Sequence, residues 1–290
     1  MITVFTPTFN RAYKLPELYK SLQKQTYNSF EWLVIDDGST DHTEQLFNKW
    51  EKEINSFHIT YVKQKNGGKH RAINKGVQLA KGELFFIVDS DDFLASFALK
   101  RIQEVYETIS EDELFAGVSG MKAYSNNQRV GGNFPFKQID CSMIDIRVKY
   151  HIKGDMAEVF KTDILRQYPF DEFDGENFIS EGVVWIKIGQ KYLLRYFCDN
   201  IYFCEYLPDG LTHSIVRKFR ENPQGTMCFF MQTINSSKHN IKIKIKASIK
   251  YWRAVPFYKG KKTRDMKPKM WQYLFWPFGV IIYFYDLIRK

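Results

Sequence analysis

The strongest constraint on the fold is an alternation repeated four times in the first 120 residues. Short runs rich in β-branched and aromatic residues ("ITVFTPT", "FEWLVID", "HITYVKQ" and "ELFFIV") alternate with stretches whose apolar residues fall at helical spacing. Leu15, Leu18 and Leu22 mark one helix face, and Leu46, Phe47, Trp50 and Ile54 a second. Ala72, Ile73, Gly76, Val77 and Ala80 fit a third, and Phe97 to Ile109 a fourth. Strand–helix units of this length predict an α/β fold: a mostly parallel sheet covered by helices on both faces. With 290 residues, 44% of them hydrophobic, the chain suffices for one large domain or one domain with an appendage.

Open parallel sheets gather ligands beyond the carboxyl ends of their strands. Here those ends read Thr6-Pro7-Thr8, Asp36-Asp37-Gly38-Ser39, Asn66-Gly67-Gly68-Lys69 and Asp89-Ser90-Asp91-Asp92, all polar. In the last, "FFIVDSDDF", an apolar run meets three carboxylates within four residues. Turn and helix-cap chemistry accounts for one or two of them. Three clustered like charges repel unless something positive sits among them. A hard divalent cation, which takes oxygen ligands, is the natural candidate.

The segments "TPTFNR", "VIDDGSTDHT", "NGGKHRAINKGVQLAKGE" and "FFIVDSDDF", in this order and spacing, resemble the family 2 glycosyltransferases of the GT-A fold over roughly residues 1–210. The resemblance implies an inverting transferase that uses a UDP-sugar and a Mn²⁺ or Mg²⁺ ion. Asp37 would accept a hydrogen bond from the uracil ring, with Asp36 just before it serving the turn instead. Thr6, Pro7 and Asn10 would line the nucleotide; a strand-to-helix turn is the other reading of Thr6 and Pro7. Asp89, Ser90 and Asp91 match the DxD motif. Asp91 would hold the metal directly, and Asp89 would touch ribose or a metal-bound water. Asp92 is left as a supporting acceptor or a helix cap. Lys69 would meet the nucleotide or a phosphate. Other members carry an Arg where this chain has Ile73, so Lys69, His70 or Arg71 must substitute.

Transfer needs a base for the acceptor hydroxyl. The resemblance places it in "ENFISEGVVWIKI", where Glu181 is the candidate and Glu176 its nearest competitor. Many members have Glu-Asp here; this chain has Glu181-Gly182, as in the subgroup in which one Glu serves alone. Asp155 in "KGDMAEVF" would contact the acceptor or form a turn. His213 in "EYLPDGLTHS" would reach the metal or diphosphate, or be structural.

From 112 to 210 the pattern is less regular, with strands expected at "FAGVSGM", "MAEVFK" and "LRYFCD" and a helix over Glu181 to Tyr192. These readings divide the chain into a catalytic domain, 1–214, and a helical extension, 215–290. The domain comprises a nucleotide-sugar half, 1–112, and an acceptor half, 113–214. Residues 241–290 hold 13 of the 42 Lys and Arg but two of the 33 acids, so the net charge of +9 sits in the extension. Met270 to Tyr285 is 16 residues without charge, interrupted by Pro277 and Gly279 and flanked by basic residues. That is short of the ~20 residues a spanning helix needs. Its Trp and Tyr suit a membrane interface, so it is expected to attach to an anionic surface. Packing on the catalytic domain, or a dimer contact, is the other reading. Nucleic acid fits less well, because the basic residues flank an apolar run. No leader is apparent in "MITVFTPTFNR" and no CxxC pair is present. The expected setting is the cytoplasmic face of the membrane, with a saccharide or lipid-linked acceptor in bacterial surface-polysaccharide synthesis. A sugar-1-phosphate nucleotidyltransferase would open on a glycine-rich loop, which "TPTFNRAYKLP" lacks. A non-catalytic nucleotide-sugar-binding or scaffold protein is the alternative from another class.

Overall fold

A computed structural model describes residues 1–204, 211–258 and 266–288, with the side chains of 211–214 and 286–288 outside the described set. The first half delivers the expected alternation: β1 (Ile2–Thr8), α1 (Leu15–Gln23), β2 (Phe30–Asp36), α2 (Thr43–Trp50), β3 (His58–Lys63), α3 (Lys69–Leu79), β4 (Leu84–Ile87), and, after a short β5 (Phe93–Leu94), α4 (Ala98–Glu107). There follow β6 (Phe115–Ala123), β7 (Gln138–Cys141), α5 (Asp145–Val148), β8 (Met156–Lys161), α6 (Thr162–Gln167), α7 (Gly182–Gly189) and β9 (Leu193–Phe203). The C-terminal helices are α8 (Leu211–Glu221), α9 (Pro223–Asn235), α10 (Ile241–Ala254) and α11 (Trp276–Ile288).

One nine-stranded sheet runs in the order β3-β2-β1-β4-β8-β6-β9-β5, with β7 also paired to β9. Strands β1, β2, β3, β4, β6 and β9 run the same way, and β5, β7 and β8 run against them. Side chains alternate across each strand, so the sheet feeds two cores. Phe5, Leu33 and Phe85 face α3 on one side; Val4, Trp32 and Phe86 face α1, α2 and α4 on the other. Every residue of β1 and β2 is buried, which explains their nearly unbroken apolar runs.

The second helix is shorter than the sequence pattern suggests. Asn55 donates its side-chain amide to the Trp50 carbonyl and closes α2 there, leaving Ile54 outside the helix and fully exposed. Strands β5 and β7 and helices α5 and α6 are too short to show a period.

Helices α9 and α10 share the core that holds Phe5 and Leu33, through Met227, Met231, Tyr251 and Trp252. Helix α11 is different. It meets α10 at Gly279, where a Cβ would lie 2.4 Å from Trp252 Cβ, and leaves Trp276, Phe278, Ile281 and Phe284 at least half exposed. Among the described residues, no helix is long and apolar enough to cross a membrane.

Candidate active site

The four polar strand ends meet on one edge because β3, β2, β1 and β4 are parallel neighbours. At the end of β2, two buried acids are held by hydrogen bonds. Asp36 Oδ1 accepts the Ser39 N–H at 2.7 Å and Oδ2 accepts the Tyr61 hydroxyl, so Asp36 builds the turn. Asp37 Oδ1 accepts from the Gln64 side chain at 2.8 Å and the Gly67 N–H at 2.9 Å; Oδ2 accepts the Gly68 N–H at 2.7 Å. A carboxylate has about four acceptor positions, so three donors leave room for one more.

The loop after β1 is locked to the same turn. Asn10, at φ 52°, donates its N–H to Ser39 Oγ at 2.8 Å and accepts the Thr40 N–H on Oδ1 at 2.8 Å. Pro7 is buried in register with Ile35. The Thr6 side chain corrects its expected role: strand alternation turns it into the core, where Oγ1 accepts the Trp32 indole N–H at 3.0 Å. Only its backbone belongs to the rim.

Helix α3 begins after Gly68, whose φ of 97° and approach to Asn177 admit only glycine: a Cβ would lie 1.8 Å from the Asn177 carbonyl oxygen. This contact seats the segment leading to Glu181 against the β3–α3 loop. Arg71 secures it, donating to the Gly67, Phe173 and Glu176 carbonyls at 2.6, 2.8 and 2.7 Å and pairing with Glu172 at 3.1 Å. The three basic residues near Ile73 are thereby separated. Arg71 is a loop tie. His70 is buried without a hydrogen-bond partner among the described residues, and burial, with Arg71 beside it, pushes its imidazole down to about 4. Lys69 is the one that faces the acids.

At the end of β4 the acids are balanced by cations. Lys69 Nζ lies 2.6 Å from Asp89 Oδ1 and 2.8 Å from Glu181 Oε1. Burial alone would push Lys69 down, but Asp89 and Glu181 outweigh it and hold the ammonium charged. Burial would push Asp89 up, but Lys69 and Lys122 overcome it and keep it below the ordinary carboxylate value. Asp91 is pushed up by burial and by the charge of Asp89, with Arg11 Nε at 3.9 Å. Ser90 is buried between them.

Asp92 supports this layer from below and does not cap a helix, since α4 starts at Ala98. Tyr202 donates its hydroxyl to Asp92 Oδ2 at 2.6 Å and accepts the Asp89 N–H at 3.0 Å. Burial and Asp89 push Asp92 up to about 7. Lys122 Nζ stands 4.1 Å from the centre of the Tyr202 ring. Sequence reasoning missed both Lys122 and Tyr202. The available signal was Lys122 itself, the only charge in the strand "FAGVSGMKA".

The two candidate bases also part. Glu176 Oε1 and Oε2 accept the N–H groups of Gln224 and Gly225 at 2.7 and 2.9 Å, at the N-terminus of α9, where a carboxylate suits the helix dipole. Glu181 immediately precedes α7, but its carboxylate makes no capping bond and goes to Lys69. Asp155 is exposed before β8 and lines an open cavity of about 520 Å³ with Arg147, His151 and Lys153. The His213 side chain lies outside the described residues.

Among the described residues, no three of His, Cys, Asp and Glu are arranged to hold a metal unaided. The donor chemistry nevertheless fits one. The carboxylates are hard oxygen donors, and Asp91, pushed up first by burial and then by the charge of Asp89, would be stabilised in its ionised form by a divalent cation. Such a site would be completed by oxygens from outside the protein.

The first four strands and their polar ends lie in a region similar to known proteins. The family model described as "Glycosyl transferase family 2" matches residues 3–152. The glycosyltransferase GlyG of Streptococcus pneumoniae serotype 4 is 32% identical over 136 residues, 47% of this chain and 43% of that protein. The GalNAc(5)-diNAcBac-PP-undecaprenol beta-1,3-glucosyltransferase of Campylobacter jejuni is 28% identical over 195 residues, 64% of this chain and 59% of that one. The chain thus spans about half the length of these relatives. The crystal structure of S. aureus TarS 1-349 in complex with UDP-GlcNAc is similar in fold, with a TM-score of 0.63 and 18% identity, covering 95% of this chain and 78% of that one.

Proposed function

Because the chain belongs to glycosyl transferase family 2, we propose that it moves a sugar from a UDP-sugar to a hydroxyl of a saccharide or lipid-linked acceptor, with inversion at the anomeric carbon. The observation that carries this reading is the bridge at Lys69. One ammonium touches an acid of the DxD segment, Asp89, and the candidate base, Glu181. Donor-side and acceptor-side carboxylates therefore flank the width of a single cation, close enough to act on one sugar.

In this mechanism Asp37 and the loop it organises receive the nucleobase, with the fourth acceptor position of Asp37 for a base N–H. Asp91, seconded by Asp89, would hold a Mn²⁺ or Mg²⁺ ion, which when bound neutralises the departing diphosphate. Glu181 takes the proton of the acceptor hydroxyl as the oxygen attacks C1 opposite UDP. No covalent intermediate forms. Asp155 contacts the acceptor from the cavity before β8. The name of the Campylobacter relative, a glucosyltransferase of a PP-undecaprenol-linked glycan, supports a lipid-linked acceptor, and a role in surface-polysaccharide synthesis belongs to the same proposal.

The C-terminal helices enter the same proposal. The exposed apolar side chains of α11 lie beside α10, which carries the exposed Lys242, Lys246 and Lys250. An anionic lipid surface matches both features and would keep the chain at the cytoplasmic face near such an acceptor. Wild type should co-sediment with anionic vesicles, and Ile281→Asp with Phe284→Asp should not. Equal sedimentation of the two removes the lipid reading.

The transfer reading is tested by UDP release from a panel of UDP-sugars with Mn²⁺. One donor should be hydrolysed slowly, Asp91→Asn should lose binding and release, and Glu181→Gln should keep binding. UDP binding that is indifferent to metal and to Asp91→Asn refutes the metal role of this rim.

A further inference from the structure

We propose that Lys69 is the resident counter-ion of the donor-free site, and that a metal and a nucleotide diphosphate together displace it from Asp89. The inference rests on the reading of Asp89 and Asp91 as metal-side acids and Glu181 as the base, and adds to it an order of events.

The argument is one of charge and reach. Four carboxylates, Asp89, Asp91, Asp92 and Glu181, crowd the end of β4 and the start of α7. Three cations answer them. Lys122 is fixed over the Tyr202 ring, and Arg11 stands 3.9 Å from Asp91. Lys69 makes two short ion pairs, at 2.6 and 2.8 Å. Its backbone opens α3 directly after the close Gly68–Asn177 approach, but a lysine side chain is a compact charge on a flexible four-carbon stem. It can leave Asp89 without moving α3.

A divalent cation arriving alone adds two positive charges where Lys69 already balances Asp89, and it must evict the ammonium. A cation arriving with the doubly anionic diphosphate of a nucleotide sugar adds no net charge. Lys69 then exchanges its carboxylate partners for phosphate oxygens, which releases Glu181 Oε1 to the acceptor. Metal alone is resisted, metal with donor is admitted, and the base is freed only afterwards.

The test is Mn²⁺ binding to the full chain, followed by the electron paramagnetic resonance signal of free Mn²⁺, without and with UDP. Wild type should bind Mn²⁺ weakly alone and much more tightly with UDP. Lys69→Gln and the apolar Lys69→Met should each bind Mn²⁺ alone at least tenfold more tightly than wild type. Lys69→Arg, which keeps the charge, should not, and Asp89→Asn in the Lys69→Gln chain should abolish the gain. Two charge-removing variants guard against one failing to fold, which thermal melting reports. If both leave Mn²⁺ affinity at the wild-type value while Mn²⁺–UDP binding persists in wild type, the counter-ion role is wrong and the metal reading survives. If wild type shows no Mn²⁺ binding even with UDP, both fall together.

Discussion

Two strand ends of this molecule look alike in sequence and are built on opposite principles. "IDDGS" closes β2 and "VDSDD" closes β4, and each crowds carboxylates beyond a buried strand. At the β2 end every acid oxygen meets an N–H or O–H of its own chain: Ser39, Tyr61, Gln64, Gly67 and Gly68. At the β4 end the partners are chiefly cations, Lys69, Lys122 and Arg11, with Tyr202 beneath. Three of these neutral donors are backbone N–H groups, which cannot be traded for a ligand without undoing the turn. A lysine or arginine head can move away and let another cation in. The first arrangement shapes a pocket, and the second is prepared for exchange.

The largest effect expected from breaking this contrast is at Glu181, the acceptor-side end of the exchangeable set. Glu181→Gln should lower transfer by ~10²–10⁴-fold, the usual share of a positioned proton acceptor, while leaving UDP-sugar binding within about twofold. Single-turnover rates and donor titration separate the two. A variant that transfers normally would mean that the proton goes elsewhere.

Next come paired substitutions at the two strand ends. Asp37→Asn replaces a carboxylate that accepts three hydrogen bonds and turns an amide NH₂ towards one of the donors. It should cost ~1–3 kcal/mol of stability in urea unfolding. Asp91→Asn should cost nothing or raise the melting temperature at neutral pH, because burial and Asp89 already disfavour the charged form in the folded chain. It should nonetheless abolish metal-dependent UDP binding. Equal destabilisation by both would erase the distinction drawn here.

A smaller effect tests the seam between donor and acceptor sides. Gly68→Ala puts a methyl where the Asn177 carbonyl stands, at a backbone angle disfavoured for alanine. The segment that carries Glu181 four residues later must shift. The expected result is a ~10–100-fold loss in kcat with a modest loss in melting temperature, since displacement of about 1 Å suffices for such losses. An unchanged kcat would show that the loop, and not this contact, sets the position of Glu181.

Much of this was legible in the sequence because it depends on short-range pattern. Strands β1 to β4 announce themselves as apolar runs with polar ends, and the parallel order of their ends follows from the helices between them. The identity of the acids was likewise local. Their partners were not. Lys69 reaches Asp89 and Glu181 across 20 and 112 positions, and Tyr202 reaches Asp92 across 110. No periodicity encodes such pairings. The Thr6 side chain shows the same limit from the other side: a polar residue at a strand end reads as rim, and only its partner, Trp32, reveals that it belongs to the core. Glu176 and Glu181 are equally acidic in sequence and separate only when α9 is seen to claim one of them.

Glu158 on β8 sharpens the comparison by having neither kind of support in full. Burial pushes its carboxyl up to about 7, against the pull of Arg147 and Lys122. Below about pH 4.5 folded and unfolded chains both hold the proton. Between about 4.5 and 7 the folded chain keeps a proton that the unfolded chain has released, so stability falls as pH rises through this window. Above it, both are ionised and the cost is fully present. Glu158→Gln mimics the protonated form at every pH. Its melting temperature should match wild type near pH 4.5 and exceed it by a few degrees at pH 8, read from thermal scans across that range. Parallel curves for the two proteins would show that Arg147 and Lys122 together hold Glu158 ionised, as Lys69 and Lys122 hold Asp89. In that case the contrast between the strand ends extends to a third acid.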